Sequence, residues 1–335
     1  MTYEDFAADL SSCRSVRFHS AEESEDALKA LGVSRFELRQ LGRGSFRSDL
    51  AAILTSEGLA LSNRFERSFF SPLHTPDGMV TLLMIGTAGG DSFASGDIVS
   101  NEKLLVQTPE AEVDVIAPDL TRSEAFGVPV SRFYPLLHTI CPGGPSIRPG
   151  EFVAVAGDST RLHRLRRAIL DLVRHPESDP RHERQANLIA EVIAWMGDSV
   201  SRGRPEGLPV NGARARIARR ARDYMEDHFP DPIRMEDLCR ETGVGLRTMH
   251  RAFVEYFQIP PYNFLKKLRL DRARRELLAG NPEAHSVADV ALHHGYSHLS
   301  RFAKEYREAF GELPRETLAR AMHCHVFSLK ERSHH

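Results

Sequence analysis

The chain has 335 residues, of which 41% are hydrophobic and 27% are charged, a length and composition typical of about two soluble globular domains. Its formal net charge is −2, and no run of about 18 apolar residues is present, which argues against a membrane span. Residues 1–10 lack the basic start and apolar stretch of a signal peptide, so we expect a cytoplasmic protein.

The cysteines lie far apart and form no Cys-x-x-Cys pair, a spacing that argues against a structural zinc site or a disulfide framework. We therefore expect reduced thiols, with no metal and no cofactor. The segment 323–325 (His-Cys-His) does not change this expectation, because three adjacent side chains cannot all point at one ion. The cysteines are Cys13, Cys141, Cys239 and Cys324.

Residues 34–117 carry the pattern of β-structure. Apolar and polar side chains alternate over 46–54 and again over 59–65, on either side of a turn at 56–58, which predicts a half-buried antiparallel hairpin. Further short strands are predicted at 80–85, 104–106 and 113–116. Several short strands separated by turns favour a sandwich or a small barrel.

Two amphipathic helices are predicted next, at 159–174 and 181–200. Their apolar faces carry Leu162, Leu165, Ile169 and Leu172 in the first, and Leu188, Val192, Trp195 and Met196 in the second. These faces could cover the barrel or pair with a second subunit, and the sequence leaves both arrangements open. The Gly- and Pro-rich segment 203–212 that follows is interpreted as a linker.

The charge changes sign at this linker. Residues 1–212 contain 22 Lys and Arg against 29 Asp and Glu, whereas 213–321 contain 20 against 16. A basic segment after an acidic one indicates that only the C-terminal part meets nucleic acid.

Two copies of a helix-turn-helix pattern follow the linker. A glycine just after a short helix ends it in the left-handed conformation at no steric cost. Ser286 and Asp289 have the spacing of a capping box that starts the second copy. The matched positions are Leu238 and Val290, Gly243 and Gly295, Met249 and Phe302, and Phe253 and Tyr306. The apolar ones place each short helix against the next, as a helix-turn-helix requires.

A long helix is predicted between the two copies. Pro260 and Pro261 are expected to open it, and the segment 280–282 (Gly-Asn-Pro) to stop it. About 19 residues at 1.5 Å each span roughly 28 Å, close to the length of about 34 Å of one DNA turn. A rod of this length could hold both copies against the same side of a duplex.

Residues 213–321 resemble the DNA-binding domain of the AraC/XylS family. The segment Ser286–Pro314, SVADVALHHGYSHLSRFAKEYREAFGELP, is similar to the family signature in its Ala-x-x-x-Gly-Tyr, Leu-Ser-Arg-Phe and Phe-Gly-x-x-Pro elements. Two positions depart from the pattern. Arg234 stands where a small capping residue is usual before the first copy, and Cys239 where alanine is common, so we expect the first short helix to be less well capped.

The resemblance implies that the second helix of each copy, the recognition helix, enters the DNA major groove. These helices are predicted at about 246–256 and 298–309, and arginine suits them because its planar fork can bond both acceptors of guanine. The expected DNA-binding residues are Arg247, Thr248, His250, Arg251, His298, Ser300, Arg301 and Lys304. By the resemblance, all of them except Thr248 and His298 match base-reading positions of the family. Lys266 and Lys267 are expected to make weaker phosphate contacts, or to be ordinary surface residues.

Family members of similar length usually carry an N-terminal cupin-like barrel that binds an effector or mediates dimerisation, and 34–117 loosely resemble effector domains of regulators of aromatic and amine catabolism. Arg43, Arg64, His74 and Asp77 could line a pocket there or simply coat the barrel. The predicted fold class is α+β. An antiparallel, cupin-like β-barrel with C-terminal helices occupies 1–202 and precedes the linker. An all-α domain of two helix-turn-helix units joined by a long helix occupies 213–321, and 322–335 form a tail.

The leading hypothesis is a sequence-specific transcription regulator and not an enzyme, namely an activator that responds to a small-molecule effector. One alternative is an N-terminal domain that only dimerises or binds a partner protein through 181–200, and another is a repressor. An enzyme is least favoured, because 40–120 lack a His-x-His or carboxylate cluster. The expected partners are double-stranded DNA at two adjacent major-groove segments, RNA polymerase, a small-molecule effector and a second copy of the chain, with no membrane.

Overall fold

The computed structural model describes residues 15–321 except 34, 88–89, 100–102, 143–146, 157–158, 176–182, 203–205, 208–211 and 280–285, and gives only the backbone of 156, 196–202 and 206–207. The chain divides into two compact units. The first comprises Met1–Leu38 and Arg47–Val210, and the second Arg39–Phe46 and Asn211–His335. The division after Val210 falls inside the predicted linker, 203–212, much of which lies outside the described residues.

The first unit is built from antiparallel strands and four helices among its described residues. The strands are β1 (Val16–Phe18), β3 (Ser48–Thr55), β4 (Gly58–Phe65), β5 (Phe69–Leu73), β6 (Met79–Thr87), β7 (Ser92–Ala94), β8 (Asp97–Val99), β9 (Lys103–Gln107), β10 (Val113–Ala117), β11 (Thr121–Pro129), β12 (Phe152–Ala156) and β13 (Glu206–Gly207), while β2 (Arg39–Gln40) belongs to the second unit. The helices are α1 (Ala21–Ala30), α2 (Val130–Ile140), α3 (Ser159–Arg174) and α4 (Glu183–Arg202).

The strands of this unit form two antiparallel sheets. The longer sheet has the order β1-β3-β4-β11-β6-β9-β12-β13, and the other contains β5-β10-β7-β8 in that order. The predicted hairpin is confirmed as β3 and β4, which pair from Ser48 opposite Phe65 to Thr55 opposite Gly58. A side chain at Gly58 would not fit, because its Cβ would lie 2.0 Å from the carbonyl oxygen of Gly127.

One face of the longer sheet, called the outer face below, packs against helices. Phe126 and Val128 of β11 share an apolar core with Leu165 and Ile169 of α3 and with Ile193 of α4. The apolar faces of α3 and α4 therefore cover the sheet of their own unit, which is one of the two arrangements that the sequence allowed.

The β-structure extends beyond the predicted range of 34–117. It begins at Val16, continues through β11 to Pro129 and returns at β12. Helix α2 was also missed, because it starts directly after Pro129 and contains Pro135, and proline is typical of turns and of the first turn of helices. The α+β fold class with an antiparallel N-terminal domain is confirmed.

The second unit contains the predicted helical repeat. Its helices are α5 (Ala213–His228), α6 (Met235–Thr242), α7 (Leu246–Phe257), α8 (Pro261–Ala279), α9 (Val287–His293) and α10 (Leu299–Phe310), and 314–321 are also helical. The pairs α6-α7 and α9-α10 are the two helix-turn-helix units, and α8 is the long helix between them, 19 residues in length. The predicted stop at 280–282 lies outside the described residues.

Glycines follow the first helix of each helix-turn-helix unit, as predicted. Gly243 has a φ of 69° and Gly295 a φ of 78°. Gly295 also lies against Arg269, since a Cβ there would be 3.1 Å from the guanidinium carbon. The Arg269 guanidinium in turn donates hydrogen bonds to the carbonyls of Phe229 and Asp231. Arg269 thereby holds the turn of the second helix-turn-helix unit against α8.

The two short helices α6 and α9 differ in how they are capped. At α9, Ser286 Oγ accepts from the Asp289 N–H at 3.2 Å and Asp289 Oδ2 accepts from the Ser286 N–H at 3.0 Å, which is the predicted capping box. At α6, Asp237 accepts from the Arg234 N–H at 2.9 Å. The Arg234 guanidinium contains no acceptor atom, so it cannot accept the second hydrogen bond of the box from the Asp237 N–H. Helix α6 is therefore less well capped than α9, as expected.

Aromatic side chains form the core of each helix-turn-helix unit, and α8 contributes to both. In the first, Phe264 of α8 lies with its ring centroid 5.4 Å from that of Phe253 and 5.0 Å from that of Phe257. In the second, Phe302 and Tyr306 pack in one cluster with Leu270, Ala273 and Leu277 of α8.

Residues 39–46, which the sequence analysis placed in the N-terminal domain, belong to the second unit. The Arg39 guanidinium, with its side chain 4% exposed, lies 3.1 Å from Glu226 Oε1 and 3.9 Å from Asp271 Oδ2. Gln40 Nε2 donates to the Ala309 carbonyl at 2.9 Å, and the Gly44 N–H to the Glu308 carbonyl at 3.0 Å. The polar groups of this segment thus find their partners on α5, α8 and α10.

Three further features concern the described residues alone. No helix within those ranges is both long and apolar enough to cross a membrane. Cys141 and Cys239 are free thiols, whereas Cys13 and the segment 323–325 lie outside the described ranges. No group of three or more His, Cys, Asp or Glu side chains in the described part of the chain could hold a metal ion.

A network of ion pairs closes the core of the second helix-turn-helix unit. Glu312 accepts hydrogen bonds from Arg274 at 2.6 Å and from Arg320 at 2.7 Å. Its other partner is the Thr317 hydroxyl at 2.8 Å, which accepts a hydrogen bond from the Tyr306 hydroxyl at 2.9 Å. Burial alone would raise the pKa of Glu312, but the hydrogen bond from Arg320 and the charge of Arg274 outweigh it and lower the pKa to about 2.

We predict that Glu312→Gln destabilises the second unit by about 2 kcal/mol at neutral pH, because two arginines lose their charged acceptor. The folded-state pKa lies below the ordinary value of 4.5. The stabilisation is therefore complete above that value and is lost as the pH falls toward 2. The difference between variant and wild type should shrink near pH 3.

Amide hydrogen exchange of α8 to α10 in the full chain measures this difference. The matched control is Glu308→Gln, which removes the same charge from an exposed position on α10. This control should change the free energy of local opening by less than about 0.5 kcal/mol. Equal losses in the two variants would contradict the role given to Glu312.

Candidate nucleic-acid interface

Helix α7, the recognition helix of the first helix-turn-helix unit, presents its predicted side chains to solvent. Arg247, Thr248, His250 and Arg251 are all exposed. The opposite face is buried and consists of Met249, Ala252, Phe253, Tyr256 and Phe257. Positions three and four residues apart share a helix face, so Arg247, His250 and Arg251 form one cationic and polar surface on the first half of the helix.

Helix α10 is arranged in the same way. His298 occupies the N-cap position without a side-chain hydrogen bond to the helix, and His298, Ser300, Arg301 and Lys304 are all exposed. Arg301 and Lys304 are three residues apart and share a face, while Phe302, Tyr306 and Phe310 are buried behind them. Both helices thus expose the residue types that bond base edges and phosphates.

Two of the exposed arginines are held by carboxylates on their own helix. Arg251 Nε lies 2.7 Å from Glu255 Oε1, and Arg301 Nε lies 3.1 Å from Glu305 Oε1. Arg301 also donates to the Tyr262 hydroxyl of α8 at 3.2 Å. Water screens the exposed Arg251–Glu255 pair, so a phosphate or a base edge can replace the Glu255 carboxylate at little cost. The Glu305 side chain is 12% exposed, and it would keep Lys266 as a partner if Arg301 turned toward DNA.

The side chains of Arg247, His250 and Lys304 make no hydrogen bond or ion pair with the described residues. Their polar groups are therefore available without breaking a contact to the described part of the chain.

The two lysines of α8 are engaged within the second unit. Lys266 Nζ lies 3.0 Å from Glu305 Oε1, and Lys267 Nζ donates to the Leu41 carbonyl. Burial lowers the pKa of Lys267 to about 8, and repulsion from Arg43 and Lys266 adds to this effect. Phosphate contact by either lysine stays a prediction.

The sequence analysis missed the residues that hold the arginines. Glu255 and Glu305 follow Arg251 and Arg301 by four positions, and ion pairs at that spacing are a known feature of helices, so this signal was present in the sequence. Tyr262 gave no such signal, because it lies 39 positions from Arg301 and reaches it only through the tertiary fold.

A cavity of about 80 Å³ lies inside the first unit, on the face of the longer sheet opposite α2, α3 and α4. Most of its lining is apolar, including Leu59, Leu83 and Val115, and His74 and Ser123 are among its polar members. Burial lowers the pKa of His74, and repulsion from Arg35 adds to it, which favours a neutral imidazole. The volume is smaller than the roughly 150 Å³ of a cavity that takes up benzene, so an occupant must be small or must widen it.

The residues expected to line a pocket or coat the barrel separate in the structure. His74 lines this cavity, and Arg64 lines a different groove on the outer face of the longer sheet. Asp77 is exposed in the first unit. Arg43 belongs to the second unit and lies within electrostatic range of Lys267.

Comparison with known proteins places the resemblance in the C-terminal region. The family model described as "Helix-turn-helix domain" matches residues 238–320. The probable thc operon regulatory protein of Rhodococcus erythropolis is 35% identical over 102 residues, which are 30% of this chain and 31% of that protein. XylDLEGF operon transcriptional activator 2 of Pseudomonas putida is 30% identical over 139 residues, which are 41% of this chain and 84% of that protein.

Among solved structures, a probable AraC family transcriptional regulator from Rhodopseudomonas palustris is 37% identical, with 31% of this chain and 96% of that chain covered and a TM-score of 0.30. The first two curated relatives are matched over 31% and 45% of their own lengths, less than half of each. The Pseudomonas putida activator is matched over most of its length. The chain belongs to the AraC/XylS family of transcription regulators.

Proposed function

We propose that this chain is a sequence-specific DNA-binding regulator that activates transcription when a small molecule binds in its first unit. The DNA-binding part of the proposal is carried by the exposed faces of α7 and α10. Each presents cationic and polar side chains in front of an aromatic core that fixes the helix. Helix α8, with its 19 residues, spans roughly 28 Å and suits two contacts about one DNA turn apart.

We propose activation, and not repression, because of the family to which the chain belongs and because of the name of one relative. The Pseudomonas putida protein that this chain matches over 84% of its length is named a transcriptional activator. An activator of this kind would contact RNA polymerase, and we propose such a contact together with assembly as a homodimer on DNA.

The effector part of the proposal rests on the cavity of the first unit. An apolar lining with a few polar groups is typical of small-molecule sites, and Asn63, His74 and Ser123 supply such groups here. We therefore propose a small, mainly apolar effector with one hydrogen-bonding group. To act as a switch it must bind two states of the protein with different affinity.

The alternative of an N-terminal domain that only docks a partner through 181–200 is less well supported. It was motivated by the apolar stripe of that helix. Leu188, Val192 and Trp195 are 6%, 3% and 5% exposed and belong to the core of their own unit. This part of the stripe is therefore already covered, and a partner would need another surface.

The proposed DNA recognition is tested by selecting genomic fragments with the purified full chain and footprinting them at about 0.15 M salt. We expect two short protected boxes roughly 10 base pairs apart, one for each recognition helix. Deletion of the gene should then lower transcription from the adjacent promoter. A rise would indicate a repressor, and the absence of any shared sequence among the fragments would count against base reading by either helix.

We predict that Arg247→Ala weakens binding to the selected operator about tenfold or more and binding to random DNA much less, since a bidentate base contact contributes about 1–3 kcal/mol of discrimination. The control is Arg216→Ala, which removes the same charge from an exposed position on α5, outside both helix-turn-helix units. It should lower both affinities by the same small factor. If Arg247→Ala lowered the affinities for operator and for random DNA by the same factor, as the control does, Arg247 would contact no base.

We predict that Ser123→Leu, which fills part of the cavity, raises the effector concentration needed for half-maximal reporter activity about tenfold. The effector would be found by screening a reporter strain against metabolites. Ser62→Leu is the control, because Ser62 lies on the neighbouring strand β4, opposite Glu124 on the outer face. Equal behaviour of the two variants, with operator binding intact in both, would place the effector outside this cavity.

A further inference from the structure

A second concave surface of the first unit is rich in arginine. It is a groove of about 650 Å³ between α3 and the outer face of the longer sheet, at the ends of β4, β6 and β11. Its volume falls within the range of about 300–1,000 Å³ that is usual for small-molecule sites. Five arginines line it together with one glutamate and one aspartate. The arginines are Arg64, Arg122, Arg166, Arg167 and Arg174.

The sheet brings two of these arginines together. Arg122 of β11 is directly opposite Arg64 of β4 in the antiparallel register. Side chains at such positions lie on the same face with their Cβ atoms about 5 Å apart, and like charges there are destabilising. Both side chains are exposed, and Arg64 has no hydrogen bond or ion pair with a described residue. An anion bound between Arg64 and Arg122 would attract both guanidinium groups and offset their mutual repulsion.

Arg166 of α3 is the most deeply placed arginine of the groove. Its side chain is 23% exposed and lies over Gly86 of β6, where a Cβ would be 3.2 Å from Arg166 Nη2. Its Nε and Nη2 atoms are buried and have no hydrogen-bond partner among the described residues. A buried guanidinium N–H without an acceptor costs free energy that a suitable acceptor recovers.

The neighbouring carboxylate does not satisfy Arg166. Glu124 Oε2 lies 3.4 Å from Arg166 Nε, which is an ion pair in distance without hydrogen-bond geometry. Burial raises the pKa of Glu124, while the charges of Arg166 and Arg122 act in the opposite direction. The groove therefore keeps an excess of positive charge and two donor atoms without acceptors.

We propose that this arginine groove binds a small organic anion through a carboxylate or phosphate group held by Arg166, Arg122 and Arg64. Arginine suits this task because its planar fork bonds both oxygens of such a group. Leu120, which is 47% exposed, and Leu170 supply an apolar wall for the carbon skeleton of the ligand.

A small anion fits the groove better than the backbone of nucleic acid. The Nε and Nη2 donors of Arg166 are buried beside Gly86 of β6, whereas the phosphates of a duplex lie on a convex surface that does not enter a groove. Glu124 is 5% exposed and lies among the arginines, where it would repel a dense polyanion. Residues 1–212 as a whole contain 22 basic against 29 acidic side chains, which disfavours approach to DNA.

The groove is separate from the cavity on the opposite face of the same sheet. Along β11, Arg122 and Glu124 line the groove, whereas Ser123 and Ala125 line the cavity, because successive side chains of a strand point to opposite faces. An anion in the groove therefore occupies a different site from the effector proposed for the cavity.

The test is calorimetric titration of the full chain with sodium phosphate and with sodium succinate, at an ionic strength held constant with sodium chloride. We expect saturable binding of at least one anion, and the tighter of the two identifies the preferred group. Arg166→Gln should weaken this binding at least about tenfold, as expected for loss of a charge-assisted hydrogen bond. Arg122→Gln should weaken it as well, and it keeps the test valid if Arg166→Gln fails to fold.

Arg164→Gln is the matched control, because Arg164 is exposed on the same helix and does not line the groove. Its affinity for the anion should stay within about twofold of wild type. The proposal is overturned if neither anion binds saturably, or if wild type and the three variants bind alike. It is also overturned if Arg122→Gln weakens binding to duplex DNA and leaves anion binding unchanged, since the groove would then serve nucleic acid.

Discussion

Helix α8 carries apolar side chains on more than one face, and the placement of both recognition helices depends on their burial. Phe264, Leu268 and Ala273 are each fully buried. Phe264 meets the aromatic core behind α7, and Ala273 the core behind α10. Full burial of a large apolar side chain stabilises by about 1.5–3 kcal/mol, so this helix is stable only between the two cores. The distance between the recognition helices is therefore set by the length of α8.

The parts of the fold that the sequence predicted are those with a regular apolar period. Helix α3 was predicted with its observed bounds, because Leu162, Leu165 and Ile169 repeat at helical spacing. Strand β11 was missed because its outer face changes character along its length, from Arg122 and Glu124 to Phe126 and Val128. That change has a physical cause: the apolar end of the strand lies under the core helices, and the charged end lines the arginine groove.

The candidate site divides in the same way. The exposed face of α7 follows from helical spacing alone, since the buried positions Met249, Ala252 and Phe253 leave Arg247 and His250 outside. The contact from Arg301 to Tyr262 and the pairing of Arg64 with Arg122 join residues far apart in the chain. Pairings of that kind depend on register and packing, which a single sequence does not reveal.

The short segment that contains Arg39 and Gln40 has a consequence for genetics. Its side chains contact Glu226, Asp271 and the end of α10, although Arg39 precedes Glu226 by 187 positions in the chain. Loss-of-binding mutations collected without a structure would therefore fall into two clusters, one within 213–321 and one near residue 40. The second cluster would be mistaken for damage to ligand response, when its effect would be on the folding of the DNA-binding unit itself.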